Sequence, residues 1–150
     1  VKGSRQIHIS IANGAVFPLH AGATGKILMC SLSEHQLRNY FALYSVPYTD
    51  KTIVTLEEMS KELDTIRQNG FATDHGEYMT KINAVAVPIY GEANQIIAAL
   101  SIVYHSANTY ISEPQLIALL QATASKISAA LNAADMWEHP VTIVQKKDTP

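Results

Sequence analysis

Ile82-Asn83-Ala84-Val85-Ala86-Val87-Pro88-Ile89-Tyr90, then Gly91-Glu92-Ala93-Asn94, then Gln95-Ile96-Ile97-Ala98-Ala99-Leu100-Ser101-Ile102-Val103-Tyr104 is the stretch that decides the fold. β-branched and aromatic residues are frequent in both runs, and such side chains suit a pleated strand. The tetrapeptide between them carries a glycine and an asparagine, so the two runs read as a hairpin. Both runs are nearly continuous in apolar residues, which predicts strands covered on both faces.

Downstream, Ser112-Glu113-Pro114-Gln115 caps a long helix whose expected apolar face is Leu116, Leu119, Leu120, Thr123, Ile127, Ala130, Leu131 and Ala134. That helix should pack on the sheet. From Trp137 to Pro150 two prolines and Lys146-Lys147-Asp148 predict a weakly ordered tail, in which Val141 to Val144 is a candidate edge strand. Upstream, Thr55-Leu56-Glu57-Glu58 is a capping box. Leu56, Met59, Leu63 and Ile66 then form one stripe that ends at Gly70, a residue suited to a left-handed C-cap. Phe71 to Asp74 should be extended, and His75 to Lys81 is turn-rich. Ser33-Glu34-His35-Gln36 is a second capping box, opening a helix to about Tyr44, and Val46 to Asp50 is a loop broken by Pro47. Ile7, Ile9 and Ile11 alternate with His8, Ser10 and Ala12 as a strand, followed by a turn at Asn13-Gly14. A chain that opens directly onto a strand is expected to have further sequence ahead of it.

Pro18-Leu19-His20-Ala21-Gly22-Ala23-Thr24-Gly25-Lys26 leads into the apolar run Ile27-Leu28-Met29-Cys30. Its small residues allow backbone to approach another element or a ligand closely, and the unpaired N–H groups of a helix start favour an anion. The competing reading is a tight loop-to-helix junction whose small residues serve packing alone. With 150 residues and 47% hydrophobic content, one folded domain over residues 1–136 is expected. A formal net charge of -2 disfavours binding of nucleic acid by this piece. The single cysteine, Cys30, excludes an internal disulfide and fits a reducing cytoplasm. No uninterrupted apolar stretch of membrane-spanning length and no secretory leader is read from the sequence.

Catalytic and metal chemistry are weakly represented. His75 with Asp74 and Glu77 lacks further ligands for a metal site, and Lys26 is followed by Ile27 where a P-loop needs serine or threonine. No nucleophile stands with its base, so neither an enzyme nor a cofactor is expected.

Leu19-His20-Ala21-Gly22-Ala23-Thr24-Gly25-Lys26, Glu62-Leu63 with Ile66-Arg67, Gly70-Phe71-Ala72, Asp74 with Glu77, Ala86-Val87-Pro88-Ile89 and Ala98-Ala99-Leu100-Ser101-Ile102 follow one another at characteristic spacings. From about Phe17 to Leu131 the chain thereby resembles the C-terminal effector-binding domain of the IclR family of bacterial transcription regulators. The resemblance implies an α/β (α+β) GAF-like domain, an antiparallel sheet flanked by helices, here without its first strands. It implies a small organic acid or related metabolite as ligand, and a homodimer or homotetramer in the cytoplasm. DNA would be met only through an N-terminal winged helix-turn-helix, which this chain does not contain. Carried over by motif, the ligand-binding positions are Ala23 and Thr24 through their amides, Asp74 and Ser101 as polar contacts, and Phe17, Ile9 and Ile82 as apolar walls. His20 is a candidate ligand-facing donor, although a histidine beside an apolar helix start is more often satisfied by backbone. Three departures stand out: Ala84 replaces a common cysteine, Lys81 a common glycine and Val103 a common serine. They make the expected pocket more apolar and detach its ligand from those of relatives. Two alternatives stay open, a GAF-like small-molecule enzyme using Cys30 or His20, and a dimerisation module with no ligand.

Overall fold

The computed structural model describes residues 16–107 and 110–133. The strand expected at Ile7 to Ile11, the Asn13-Gly14 turn, the wall residue Ile9, Ala134 and the tail from Trp137 lie outside them.

The hairpin forms as its composition demands. Strand β1 (Ala72–His75) pairs with β2 (Ile82–Tyr90), and β2 with β3 (Ile96–His105), all antiparallel in the order β1-β2-β3. At the hairpin loop the Gly91 N–H donates to the Gln95 carbonyl at 2.9 Å, and Asn94 takes a left-handed φ of 57°, which asparagine tolerates better than most residues. Cross-strand partners share a face, so the register sorts the side chains into rows. Asp74, Ala84 and Val103 form one row, and Ala72, Ala86 and Ser101 the next on the same face. Thr73, Val85 and Ile102 point the other way, as do His75, Asn83 and Tyr104.

Each face has its own core. A 3-10 turn (Leu19–Ala21) leads into α1 (Ala23–Met29), which rests on all three strands, with α2 (Glu34–Tyr44) and α3 (Leu56–Asn69) outside it. Ile27, Met29, Leu37, Met59, Leu63 and Ile66 pack there around Ala72, Ala84 and Ala86. Helix α4 (Glu113–Ala133) covers the opposite face and bears mainly on β2, where Leu120 and Ala124 meet Val85, Val87 and Ile89. The result is an α+β sandwich with a sheet in the middle.

Local signals explain the helix ends. Ser33 and Gln36 make the full reciprocal box, Oγ accepting from Gln36 N–H and Oε1 accepting from Ser33 N–H. Thr55 makes half of one: its hydroxyl accepts from Glu58 N–H and donates to the Glu58 carboxylate at 2.7 Å. Gly70 closes α3 at φ 72°, its N–H on the Ile66 carbonyl at 2.8 Å.

Two expectations need correction. The buried stripe of α4 runs through Leu116, Leu120 and Ala124 with Ile117, Ile127 and Leu131 beside it, while Leu119 is 55% exposed and Thr123 and Ala130 face outward. Positions 116, 120, 124, 127 and 131 keep helical phase; Leu119, Thr123 and Ala130 belong to the flank. Strand β2 is covered on both sides, but β3 is half-buried along its length, because it lies at the edge of the described sheet and receives little of α4. Helix α4 has the length and, at a mean hydropathy of 1.2, the average composition of a membrane span, but Gln121, Ser125 and Lys126 interrupt its apolar run and it serves as the cover of a sheet face.

Candidate functional site

The α1 face is built around one close backbone approach. A Cβ on Gly25 would stand 2.2 Å from the Leu19 carbonyl oxygen, so only glycine lets α1 lie against the preceding turn. With α1 seated, Ala23 joins the cluster containing Ala72, Ala84 and Ala86, and Lys26 is turned inward to 1% exposure. A buried ammonium requires compensation. Lys26 Nζ donates to Glu62 Oε1 of α3 at 3.0 Å and to Glu77 Oε1 at 2.8 Å.

Glu77 stands in the turn that follows β1, and that turn is held by Asp74. The Asp74 carboxylate, 5% exposed, accepts the Glu77 N–H at 2.7 Å, with Gly76 supplying the left-handed residue at φ 84°. From the opposite side Thr49 donates to the Gly76 carbonyl at 2.8 Å and Thr52 to the Glu77 carbonyl at 2.6 Å. Burial pushes the carboxyls of both Asp74 and Glu77 above their ordinary range, against the pull of Lys26. Glu77 Oε2 is buried without a hydrogen-bond partner.

The expected ligand positions distribute as follows. Asp74, Ala84 and Ser101 lie on the same sheet face in adjoining rows, Ile82 opens the next row opposite His105, and Ala23 packs over the alanines. Thr24 is exposed at the first turn of α1. Phe17 is exposed and its ring lies 5.4 Å from that of Tyr78, which in turn lies 5.0 Å from Tyr48. His20 is the correction. It is completely buried, and both ring nitrogens serve the fold. The Val46 carbonyl, 2.9 Å from Nε2, can only accept, so Nε2 carries the hydrogen and Nδ1 accepts from the Tyr40 hydroxyl at 2.8 Å. Tyr40 also accepts the Leu19 N–H, tying α2 to the turn before α1.

Cys30 is half-buried, its Sγ 4.0 Å from the Leu63 carbonyl, and burial raises its thiol pKa against the opposing Arg67. That environment suppresses the thiolate a nucleophile needs. Among the described residues no group of three His, Cys, Asp or Glu side chains converges as metal ligands. A cavity of about 330 Å³ lies on the other side of the sheet, where Gly70, Pro88 and Tyr90 meet Gln121, Ser125 and Ser128. None of the expected ligand positions lines it.

Sequence reading passes over Lys26, Glu62 and Glu77 as a charged unit. The signal for it is helical phase: Lys26 shares a face with Ala23 and Ile27, so its charge enters the core and must meet acids from elsewhere.

Residues 1–129 match the family described as bacterial transcriptional regulator IclR, C-terminal. The HTH-type transcriptional repressor AllR of Escherichia coli strain K12 is 30% identical over 123 residues, which are 79% of this chain and 44% of AllR. The chain therefore spans less than half the length of the curated relatives it matches. Among solved structures, the transcriptional regulator YaiJ superposes with a TM-score of 0.80 at 28% identity, covering 87% of this chain and 74% of that one. The C-terminal domain of the E. coli regulator KdgR does so with 0.69 at 28% identity, covering 77% and 71%. Fold, motif order and these relatives agree: the chain belongs to the IclR family of bacterial transcription regulators and carries its C-terminal regulatory domain.

Proposed function

We propose that this domain is the effector sensor of an IclR-type regulator, binding a small metabolite of the organic-acid class on the α1 face of the sheet. The observation that carries the reading is the gathering of Asp74, Ala84 and Ser101 on one face, with Asp74 fixed by the Glu77 amide. A binding group held by its own hydrogen bonds loses little freedom on meeting a ligand, which favours affinity. Alanines at positions 72, 84 and 86 keep side-chain bulk low beside these polar groups. Ala23 and Thr24 at the start of α1 complete the proposed site, Ile82 supplies an apolar wall, and Phe17 closes its outer side. Ligand binding acts by differential affinity for two quaternary states of the whole regulator, a homodimer or homotetramer in the cytoplasm, and so alters its hold on DNA. Contact with DNA belongs to a helix-turn-helix part such as the one that gives AllR its name.

Thermal shift of the 150-residue chain against a panel of small organic acids tests this, with Asp74→Ala and Ser101→Ala alongside. A subset of acids is expected to raise the melting temperature of the wild type and to lose that effect in both variants. Stabilisation that is equal in all three proteins, or absent from the whole panel, overturns the assignment.

A further inference from the structure

Strand β1 is too short to flank all of β2. Their pairing ends at Ala72 with Ala86, so Val87 to Tyr90 run on without a neighbour on that edge. There the chain turns through Gly70 into the end of α3, α4 closes the other side, and the three elements enclose the cavity of about 330 Å³. Small-molecule sites occupy about 300–1,000 Å³.

Val87 and Ala124 give this cavity an apolar floor. The Tyr90 N–H turns to Ser128 Oγ at 2.9 Å instead of to a strand. Pro88, two residues back along the same edge, has no N–H, so the edge offers carbonyl oxygen and no open amide. Helix α4 faces it with a polar stripe, Gln121, Ser125, Ser128 and Asn132, spaced at four, three and four residues. Ser128 receives the Tyr90 amide on its oxygen and keeps its own hydrogen to donate. One turn beyond it, Asn132 Oδ1 is buried and has no hydrogen-bond partner. A buried acceptor left without a donor is unfavourable.

Charge decides the class of ligand. No Lys, Arg, Asp or Glu lines the cavity. Its α3 wall is the C-terminal end of that helix, where the carbonyls carry partial negative charge, and Gln121 Nε2 donates to one of them, that of Asn69, at 3.2 Å. The Arg67 guanidinium pairs with Asp64 and the Cys30 carbonyl, and borders a smaller cavity on the α1 side. An anion here would meet the wrong end of a dipole and no cation.

We propose that this cavity is a second ligand site, separate from the α1 face, for a small uncharged polyhydroxylated molecule. Its hydroxyls donate to the Pro88 carbonyl and to Asn132 Oδ1 and accept from Ser125 and Ser128, while its carbon skeleton lies on Val87 and Ala124. The assignment stands without the sensor reading, which concerns the opposite side of the sheet.

Polyols stabilise folded proteins by exclusion from their surface, so binding has to be mapped residue by residue rather than read from a melting temperature. Nitrogen-15 correlation spectra of the 150-residue chain are titrated with erythritol and ribitol, and with erythronate and ribonate, the matching acids. At least one polyol is expected to shift the amides of Gly70, Ser125 and Ser128 to saturation while those of Ala23, Asp74 and Ser101 stay in place. Its matching acid should bind about tenfold or more weakly. Ser125→Leu, at an exposed helical position, puts a bulky side chain into the cavity and should weaken the polyol by about tenfold or more. Four results overturn the proposal: unsaturable drift of amides over the whole surface, saturating shifts centred on the α1 face, an acid that binds as well as its polyol, or shifts that persist in Ser125→Leu. Circular dichroism checks the variant, and should it not fold, the wild-type shift map and the polyol-to-acid ratio decide.

Discussion

The two faces of one three-stranded sheet use their alternate residues in opposite ways. Toward α4 the strands send Val85, Val87, Ile89, Leu100 and Ile102, large apolar side chains that interlock with Leu120 and Ala124. Toward α1 they send Ala72, Ala84, Ala86, Ala99, Ser101 and Asp74, with a lysine buried close by. Both faces carry acids near the His75 end of β1, but in different solvents. On the α4 side Glu113 accepts from the Tyr104 hydroxyl at 2.6 Å and pairs with a half-exposed His75 at 2.7 Å. On the α1 side the acids are enclosed and depend on Lys26. The lesson is that the pleat separates labour: toward α4 the strands themselves supply the apolar bulk, whereas toward α1 they keep bulk low and the covering helices supply it through Ile27, Met29, Met59 and Leu63, so that polar groups sit close to backbone.

Removing Lys26 breaks that comparison most sharply. Lys26→Met fills similar space but leaves Glu77 and Asp74 buried with no cation, and losing one partner of a buried pair destabilises by about 3–5 kcal/mol. Urea unfolding at neutral pH is expected to show a loss of that order, shrinking as the pH falls and the two carboxyls take up protons. A loss that stays the same at every pH would mean that Lys26 contributes packing rather than charge. Gly25→Ala comes next. Its methyl meets the Leu19 backbone, which cannot swing aside like a flexible side chain, so a loss of about 1–3 kcal/mol is expected by the same measurement. Tyr40→Phe is smaller, about 1 kcal/mol, because it withdraws the hydroxyl shared by His20 and the Leu19 amide. The nitrogen-15 chemical shift of His20 Nδ1 should move in that variant, and an unchanged shift would contradict the tautomer assigned to the ring.

How much of this was legible in the sequence follows from the range of each interaction. Capping at Ser33, the stop at Gly70 and the Ile82–Tyr104 hairpin are local: a hydroxyl, a missing Cβ or a run of β-branched residues acts on its immediate neighbours. These read correctly from the chain. The α4 stripe read only in part, since Leu119 and Leu120 are equally apolar and only contact with Val85 and Val87 chooses between them. The pairing of Lys26 with Glu62 and Glu77 spans 36 and 51 residues, and no local spacing encodes it. His20 was legible only in kind for the same reason: a histidine beside an apolar helix start is more often satisfied by backbone than by a ligand, but its partners, Tyr40 and Val46, are more than 19 residues away and no local spacing names them.

The smallest expected effects are those of proton binding, and they separate the two faces by sign. Burial raises the folded pKa of Asp74 from 3.8 and that of Glu77 from 4.5, so the native state binds these protons more tightly than the unfolded chain. Their contribution to stability is complete below those ordinary values and is lost as the pH rises through the raised folded ones. Glu113 behaves oppositely. Burial acts to raise its pKa, but hydrogen bonds from Tyr104 and His75 outweigh it and lower the folded value below 4.5. Its contribution is present above 4.5 and disappears as the pH falls through that lower value. Urea midpoints measured from about pH 3.5 to 8 should therefore fall from mildly acid toward neutral pH in the wild type. Glu77→Gln should flatten that limb and leave the acid limb, while Glu113→Gln should do the reverse, by less, because Glu113 is partly exposed. If the midpoint of the wild type rises steadily toward neutrality and Glu77→Gln leaves the profile unchanged, the enclosed face holds its acids no differently from the open one, and the contrast between them is void.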